Sequence, residues 1–162
     1  ARLNAQKRGV DLYPITALDD VPDQSVTCIT LWHVLEHIPD FVHILNKLKN
    51  KLRPNGILAI AVPNCGCYDA LVYNNHWAAY DVPRHLWHFR ESDIQNLSKS
   101  LGLTFISKKG MPFDSYYVSM LSEKYKNRSP LFGVYHGLKS NLLAKYSSYP
   151  YSSQIYILKK PL

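Results

Sequence analysis

The stretch Asp81-Val82-Pro83-Arg84-His85 brings together three kinds of side chain that suit polar chemistry. Arginine keeps its charge at every working pH, and its planar fork matches a carboxylate or a phosphate. Histidine is the side chain best suited to move a proton near neutrality. Asp81 is placed to orient either one. A surface salt bridge beside a packed histidine would use the same residues, so both readings stand. Trp77, Tyr80, Trp87 and Phe89 flank the group and could wall a pocket, although core packing accounts for Trp87 and Phe89 equally well.

A second group is His33-Val34-Leu35-Glu36-His37. Within a helix, H-x-x-E-H would offer two imidazoles to zinc and a carboxylate to activate water. Here it follows a strand-like run, so the helical spacing loses its meaning and no metal is expected. Cys65-x-Cys67 has one residue between its thiols where metal and dithiol motifs usually have two. None of the seven glycines falls in a phosphate-cradling pattern.

The elements that must position these residues centre on Ser25–Asp40, SVTCITLWHVLEHIPD. Val26 to Leu31 suits a strand buried on both faces, which would bury Cys28. It ends in a polar cluster just before a helix, and open α/β sheets place ligands at such carboxyl ends. Phe41, Ile44, Leu45, Leu48 and Leu52 recur at helical spacing over 40–52. Pro54-Asn55-Gly56 signals a turn, and Ile57–Val62 is a continuous apolar run suited to a doubly covered strand.

Upstream, residues 1–8 read as the end of a helix with Gly9 as its cap, Val10–Tyr13 as a short strand, and 16–24 as an acidic loop. Downstream, residues 65–90 have little periodicity, as a lid or substrate loop would. Ser92 can cap a helix through Leu101, and 103–108 is a strand. Residues 114–126 and 131–146 are helices inside an insertion, 111–150, and Ser153–Lys159 closes the chain as an antiparallel strand. The pattern predicts one α/β domain over 1–162 with a mainly parallel sheet.

Composition narrows the function. A chain of 162 residues can bury a real core. Its formal charge of +7 comes from scattered Lys and Arg, which argues against a nucleic-acid stripe. Three cysteines make no disulfide framework, and a reducing, cytoplasmic setting is expected. No apolar run has the length of a membrane span. The 12 tyrosines crowd the second half, as if to make ring contacts over a ligand or at an interface.

The set WHVLEHIPD, LRPNG, AVPN and HWAAYDVPRHLWHF, followed by a helix ending LGL, resembles class I S-adenosylmethionine-dependent methyltransferases, in particular the ubiquinone-type and related small-molecule group. The resemblance covers about residues 1–107. It implies a Rossmann-like sheet with S-adenosylmethionine across its carboxyl edge, and methyl transfer to an oxygen, nitrogen or carbon atom of a small molecule, an anionic one among the candidates. It places Thr16, Ala17 and Leu18 near the adenine, and Leu31, Trp32 and His33 near the ribose and methionine. Asn64, Trp77, Tyr80, Asp81 and Arg84 would face the acceptor, with His85 as base and His33 as second choice. The family's glycine-rich first loop and the acidic end of its second strand have no counterpart here, so the chain looks like the last two thirds of such an enzyme. An unpaired sheet edge and self-association through it follow from that reading. A methyltransferase-like remnant that only binds or scaffolds is the alternative.

Overall fold

The computed structural model describes residues 2–162, with side chains from Asn4 onward. Ala1, the start of the expected first helix, lies outside the described residues. Helix α1 covers Arg2–Gln6, and Gly9 follows at φ 72°, a left-handed geometry that glycine tolerates. The strand expected at Val10–Tyr13 does not form. Those residues are exposed coil leading into a 3-10 turn, Ile15–Asp20.

Strand β1 is Val26–Trp32, helix α2 is Phe41–Lys51 and strand β2 is Leu52–Pro63. The Asp40 carboxylate caps α2 by accepting from the His43 N–H at 3.2 Å. The turn signal at Pro54-Asn55-Gly56 is used inside β2. Val26 pairs with Leu52 and Cys28 with Ile57, so Thr27 faces a bulge from Arg53 to Gly56, with Asn55 at φ 64°.

The loop expected over 65–90 is largely built. It holds helix α3, Tyr68–Tyr73, and 3-10 turns at Asn74–His76 and Ala78–Tyr80. Helix α4, Glu91–Ser100, is capped at Arg90 rather than at Ser92. The Asp93 carboxylate reaches back to accept from the Arg90 N–H at 2.7 Å and fixes the helix start there. Strand β3 is Thr104–Gly110, helices α5 and α6 are Pro112–Tyr125 and Pro130–Tyr146, and strand β4 is Ser153–Lys159.

The sheet order is β1-β2-β4-β3. β1 and β2 are parallel, and β4 inserts antiparallel to both β2 and β3, so three of the four strands point one way. β2 is buried from Leu58 to Pro63. β1 is not: among the described residues it pairs on one side only, and Thr27, Cys28, Thr30 and Trp32 are exposed. The expected burial of both faces fails because, among the described residues, nothing covers that edge. One core packs α2 and α4 on the sheet through Leu45, Leu48, Leu58, Ile60, Ile94 and Leu158. A second, around Cys67, Ala70, Tyr73, Trp77 and Val118, holds the 65–90 segment against α5.

Candidate functional site

β1 ends at Trp32, and His33 turns out of the strand with φ 50°, a geometry uncommon for a side-chain-bearing residue. Its imidazole sits between two carboxylates. Nδ1 is 3.3 Å from Glu36 Oε1, and Nε2 is 3.2 Å from Asp114 Oδ2 on α5. The hydrogen bond to Asp114 first, then that to Glu36, raises the His33 pKa to about 9 against the opposing effect of burial. His33 is therefore a cation at neutral pH. A group that already holds its proton is a poor base. Burial pushes the Asp114 pKa up, but hydrogen bonds with His33 and Ser153 outweigh it and leave the pKa below its ordinary value.

Glu36 lies in a 3-10 turn, Leu35–His37, and is fully buried. Neither of its oxygens receives a well-directed hydrogen bond. Burying such a charge is costly unless a partner offsets it, and the His33 imidazolium is that partner.

His85 comes from the other side. Its Nδ1 is 2.8 Å from the Ala79 carbonyl. A carbonyl only accepts, so Nδ1 carries the proton and Nε2 of the neutral ring presents a lone pair. That Nε2 is 3.8 Å from Asp81 Oδ2 and 3.9 Å from Glu36 Oε1. These distances are too long for hydrogen bonds but short enough to balance the charge of an imidazolium. His37 is oriented alike, with Nδ1 2.8 Å from the Arg84 carbonyl, and its ring meets His85 edge-on at 4.7 Å. Glu36, His37 and His85 offer ligand atoms all within 4.8 Å of one another, a spacing that could hold a cation. The H-x-x-E-H pattern does not make this group by itself, because His33 turns to Asp114 and the third donor comes from His85.

Arg84 Nη2 donates to Asp81 Oδ1 at 2.6 Å, and its side chain is 74% exposed at the rim. A cavity of about 320 Å³ collects these residues. His33 and Pro63 at the strand ends, Asp81, Arg84 and His85, and Asp114 and Tyr117 of α5 all line it. Its floor thus lies at the carboxyl ends of two parallel strands, where α/β sheets bind ligands.

A family model described as a methyltransferase domain matches residues 4–108, well over half of the chain. The chain belongs to that family. No curated protein matches it. Among solved structures, an S-adenosylmethionine-dependent methyltransferase from Thermotoga maritima superposes with a TM-score of 0.62 at 14% identity, over 96% of this chain and 67% of that one. The 1,6-didemethyltoxoflavin-N1-methyltransferase of Burkholderia thailandensis, solved with its namesake and S-adenosylhomocysteine, gives 0.54 at 15%, over 99% and 56%. The [4+2]-cyclase SpnF gives 0.58 at 15%, over 100% and 62%. Such identities establish a shared fold. The chain spans between 56% and 67% of the length of these three proteins.

Within this methyltransferase domain the expected residues separate. His33, Asp81, Arg84 and His85 meet at the cavity. Asn64 does not: its Nδ2 donates to Gln154 Oε1 at 2.9 Å and Tyr156 Oη at 3.2 Å, and its Oδ1 accepts from the Gly66 N–H at 2.9 Å. Trp77 is buried, with Nε1 donating to Asp69 at 2.8 Å, and Tyr80 packs edge-on against it. Both support the cavity from behind. Ala17 and Leu18 line a separate apolar hollow with Tyr13, Ile15 and Val21, next to exposed Thr16. Leu31 packs on the core, and Trp32 is 52% exposed.

Sequence reasoning missed Asp114 and Tyr117. One signal for Asp114 was present: after Asp93 the only acidic residues are Asp114 and Glu123. One of only two acids in a basic stretch points to a specific partner. Tyr117 had no comparable signal among 12 tyrosines.

Proposed function

We propose that this chain forms the acceptor-binding part of an enzyme that moves a methyl group from S-adenosylmethionine to a small molecule held in the cavity. The observation that carries the reading is the His85 ring, fixed by its bond to Ala79 so that Nε2 can take a proton, beside a cavity at the strand ends. The cofactor supplies an electrophilic methyl on a sulfonium. In this reading His85 removes the acceptor's proton, and Asp81 and Glu36 balance the resulting imidazolium. Arg84, anchored by Asp81, leaves an exposed cation at the rim for an acidic group of the acceptor. Positioning provides much of the rate of such a displacement.

The residues present fit one flank of the cofactor. Exposed Trp32 and Val34 at the end of β1, and the hollow at Tyr13–Val21, offer unpartnered apolar surface for the adenine and methionine portions. Thr16, Ala17, Leu18, Leu31 and Trp32 would hold that side, and His33 would sit at its border with the acceptor cavity.

Titration with S-adenosylhomocysteine, read by heat, tests the cofactor side. Micromolar affinity, about −8 kcal/mol, is expected. Given binding, transfer of labelled methyl to a panel of phenolic, carboxylate and sugar-linked acceptors tests the rest. Cofactor binding without transfer to any of them would favour the second reading, a non-catalytic binding or scaffold domain.

A further inference from the structure

Helices α5 and α6 pack against each other inside out. The residues of α6 that meet the α5 backbone are the buried glycines Gly133 and Gly137, and the nearby Ser140 is buried against Asp69 of α3. A Cβ on Gly133 would lie 2.4 Å from the Met120 backbone, and one on Gly137 2.8 Å from that of Tyr116. On α5, the facing Ser115, Ser119 and Ser122 are fully buried. The large apolar side chains point outward instead. Leu131 is 78% exposed, Phe132 60%, Tyr135 59% and Tyr146 74%, and Leu138 and Leu142 are nearly half exposed.

In water the hydrophobic effect selects the opposite arrangement. Close contact through small residues with apolar groups outside is how helices pair where the surroundings are themselves apolar. No described helix is long and apolar enough to cross a membrane, so a bilayer would meet this hairpin from the side.

Charge selects the occupant. Exposed Lys124, Arg128, Lys139 and Lys145 border the face, and Lys126 lies in the turn between the helices. The hairpin's two acids, Asp114 and Glu123, are committed elsewhere: Asp114 to His33, and buried Glu123 to the Tyr73 hydroxyl at 3.0 Å. No acid follows Glu123 in the chain. A two-fold contact between copies would gather these cations from both copies around one apolar seam with no acid to offset them, which is unfavourable. Anionic lipid headgroups complement them.

We propose that the α5–α6 hairpin seats this domain on an anionic lipid surface. The outer face of α6 enters the boundary between headgroups and acyl chains, and the basic turn from Lys124 to Arg128 lies among the headgroups.

Co-sedimentation of the purified protein with vesicles tests this. Vesicles of phosphatidylcholine with a third phosphatidylglycerol should bind about tenfold or more strongly than pure phosphatidylcholine, and about 0.5 M salt should release much of the bound protein. Phe132→Ser with Leu138→Ser should lower binding about tenfold at an unchanged melting temperature, since both side chains are exposed. A paired Lys139→Gln, Lys145→Gln variant should lose the preference for anionic vesicles. No binding to anionic vesicles overturns the proposal. So does binding that the serine variant leaves unaltered. A wild-type dimer that the serine variant converts to monomer, without vesicle binding, would assign the face to a second copy instead.

Discussion

His33 and His85 lie in one cavity and hold their protons differently. Among the described residues, Nε2 of His85 has no hydrogen-bonded partner, while both nitrogens of His33 meet carboxylates. His85→Ala should therefore lower turnover about 100-fold, the usual scale for a lost general base, with S-adenosylhomocysteine affinity nearly unchanged. Equal loss of both would move His85 out of the acceptor site. A rate abolished by a chelator and restored by a divalent cation would make His85 a ligand together with Glu36 and His37. His33 contributes to stability instead. Its folded pKa, about 9, lies above the ordinary 6.5. Its contribution is thus complete below about pH 6.5 and lost as pH rises through about 9. Asp114, with its pKa held down, has the mirror dependence: its contribution is lost as pH falls below the ordinary carboxylate range. Asp114→Asn should return the His33 titration, followed by NMR, toward its ordinary value. Unfolding by denaturant should change by roughly 1 kcal/mol, because His33 is more than a third exposed and screened by solvent. A His33 titration that stays near 9 in Asp114→Asn would assign the shift to Glu36.

Elements with a single strong period were legible in the sequence. Helix α2 and strand β4 stand where the pattern of Phe41–Leu52 and the run Ser153–Lys159 put them. The antiparallel return of β4 was legible too. Errors arose where one local signal had two structural uses. Pro54-Asn55-Gly56 suits a turn, and in β2 it makes a bulge that lets Thr27 face four residues. Residues 65–90 show no period because their helix is short and their order comes from a side-chain core. Asp69 accepts from Trp77, Ser140 and Ser152, three segments far apart in the chain. No window of sequence contains that network. At the site, the cluster at Asp81–His85 was legible, because its residues are neighbours in the chain. Its completion by Asp114, on α5, was not. The tight α5–α6 contact makes this dependence testable. Gly133→Val must push a side chain into the Met120 backbone, where a Cβ already stands at 2.4 Å. It should destabilise by about 3 kcal/mol, as overpacking does. It should also loosen Asp114 from His33, lowering the His33 pKa in the same variant. Destabilisation with an unchanged His33 titration would show that α5 keeps its hold on the site without α6.

For the molecule as a whole, the sheet is the decisive object, because its two outer strands, β1 and β3, differ in how they meet solvent. β2 and β4 have neighbours on both sides, β3 is an edge, and β1 presents the other edge to solvent among the described residues. An exposed strand with free N–H and C=O groups is a template for another chain. β1 lacks two of the usual protections: Val26–Trp32 holds no charge and no proline. The α5–α6 face is guarded by its cations, whereas this edge is not, so the two surfaces should behave differently. The edge should drive concentration-dependent self-association that salt does not abolish, measurable by light scattering. Thr30→Lys places a charge mid-strand on an exposed position. It should reduce that association strongly and change stability by no more than about 0.5 kcal/mol, the range of surface substitutions. If S-adenosylhomocysteine binds only to the associated form, the second copy supplies the flank of the cofactor site that β1 leaves open. If it binds the monomer equally well, the apolar surface at Trp32 and Tyr13–Val21 suffices. A monodisperse monomer at every concentration would mean that the bulge opposite Thr27 and the twist it brings already protect the edge.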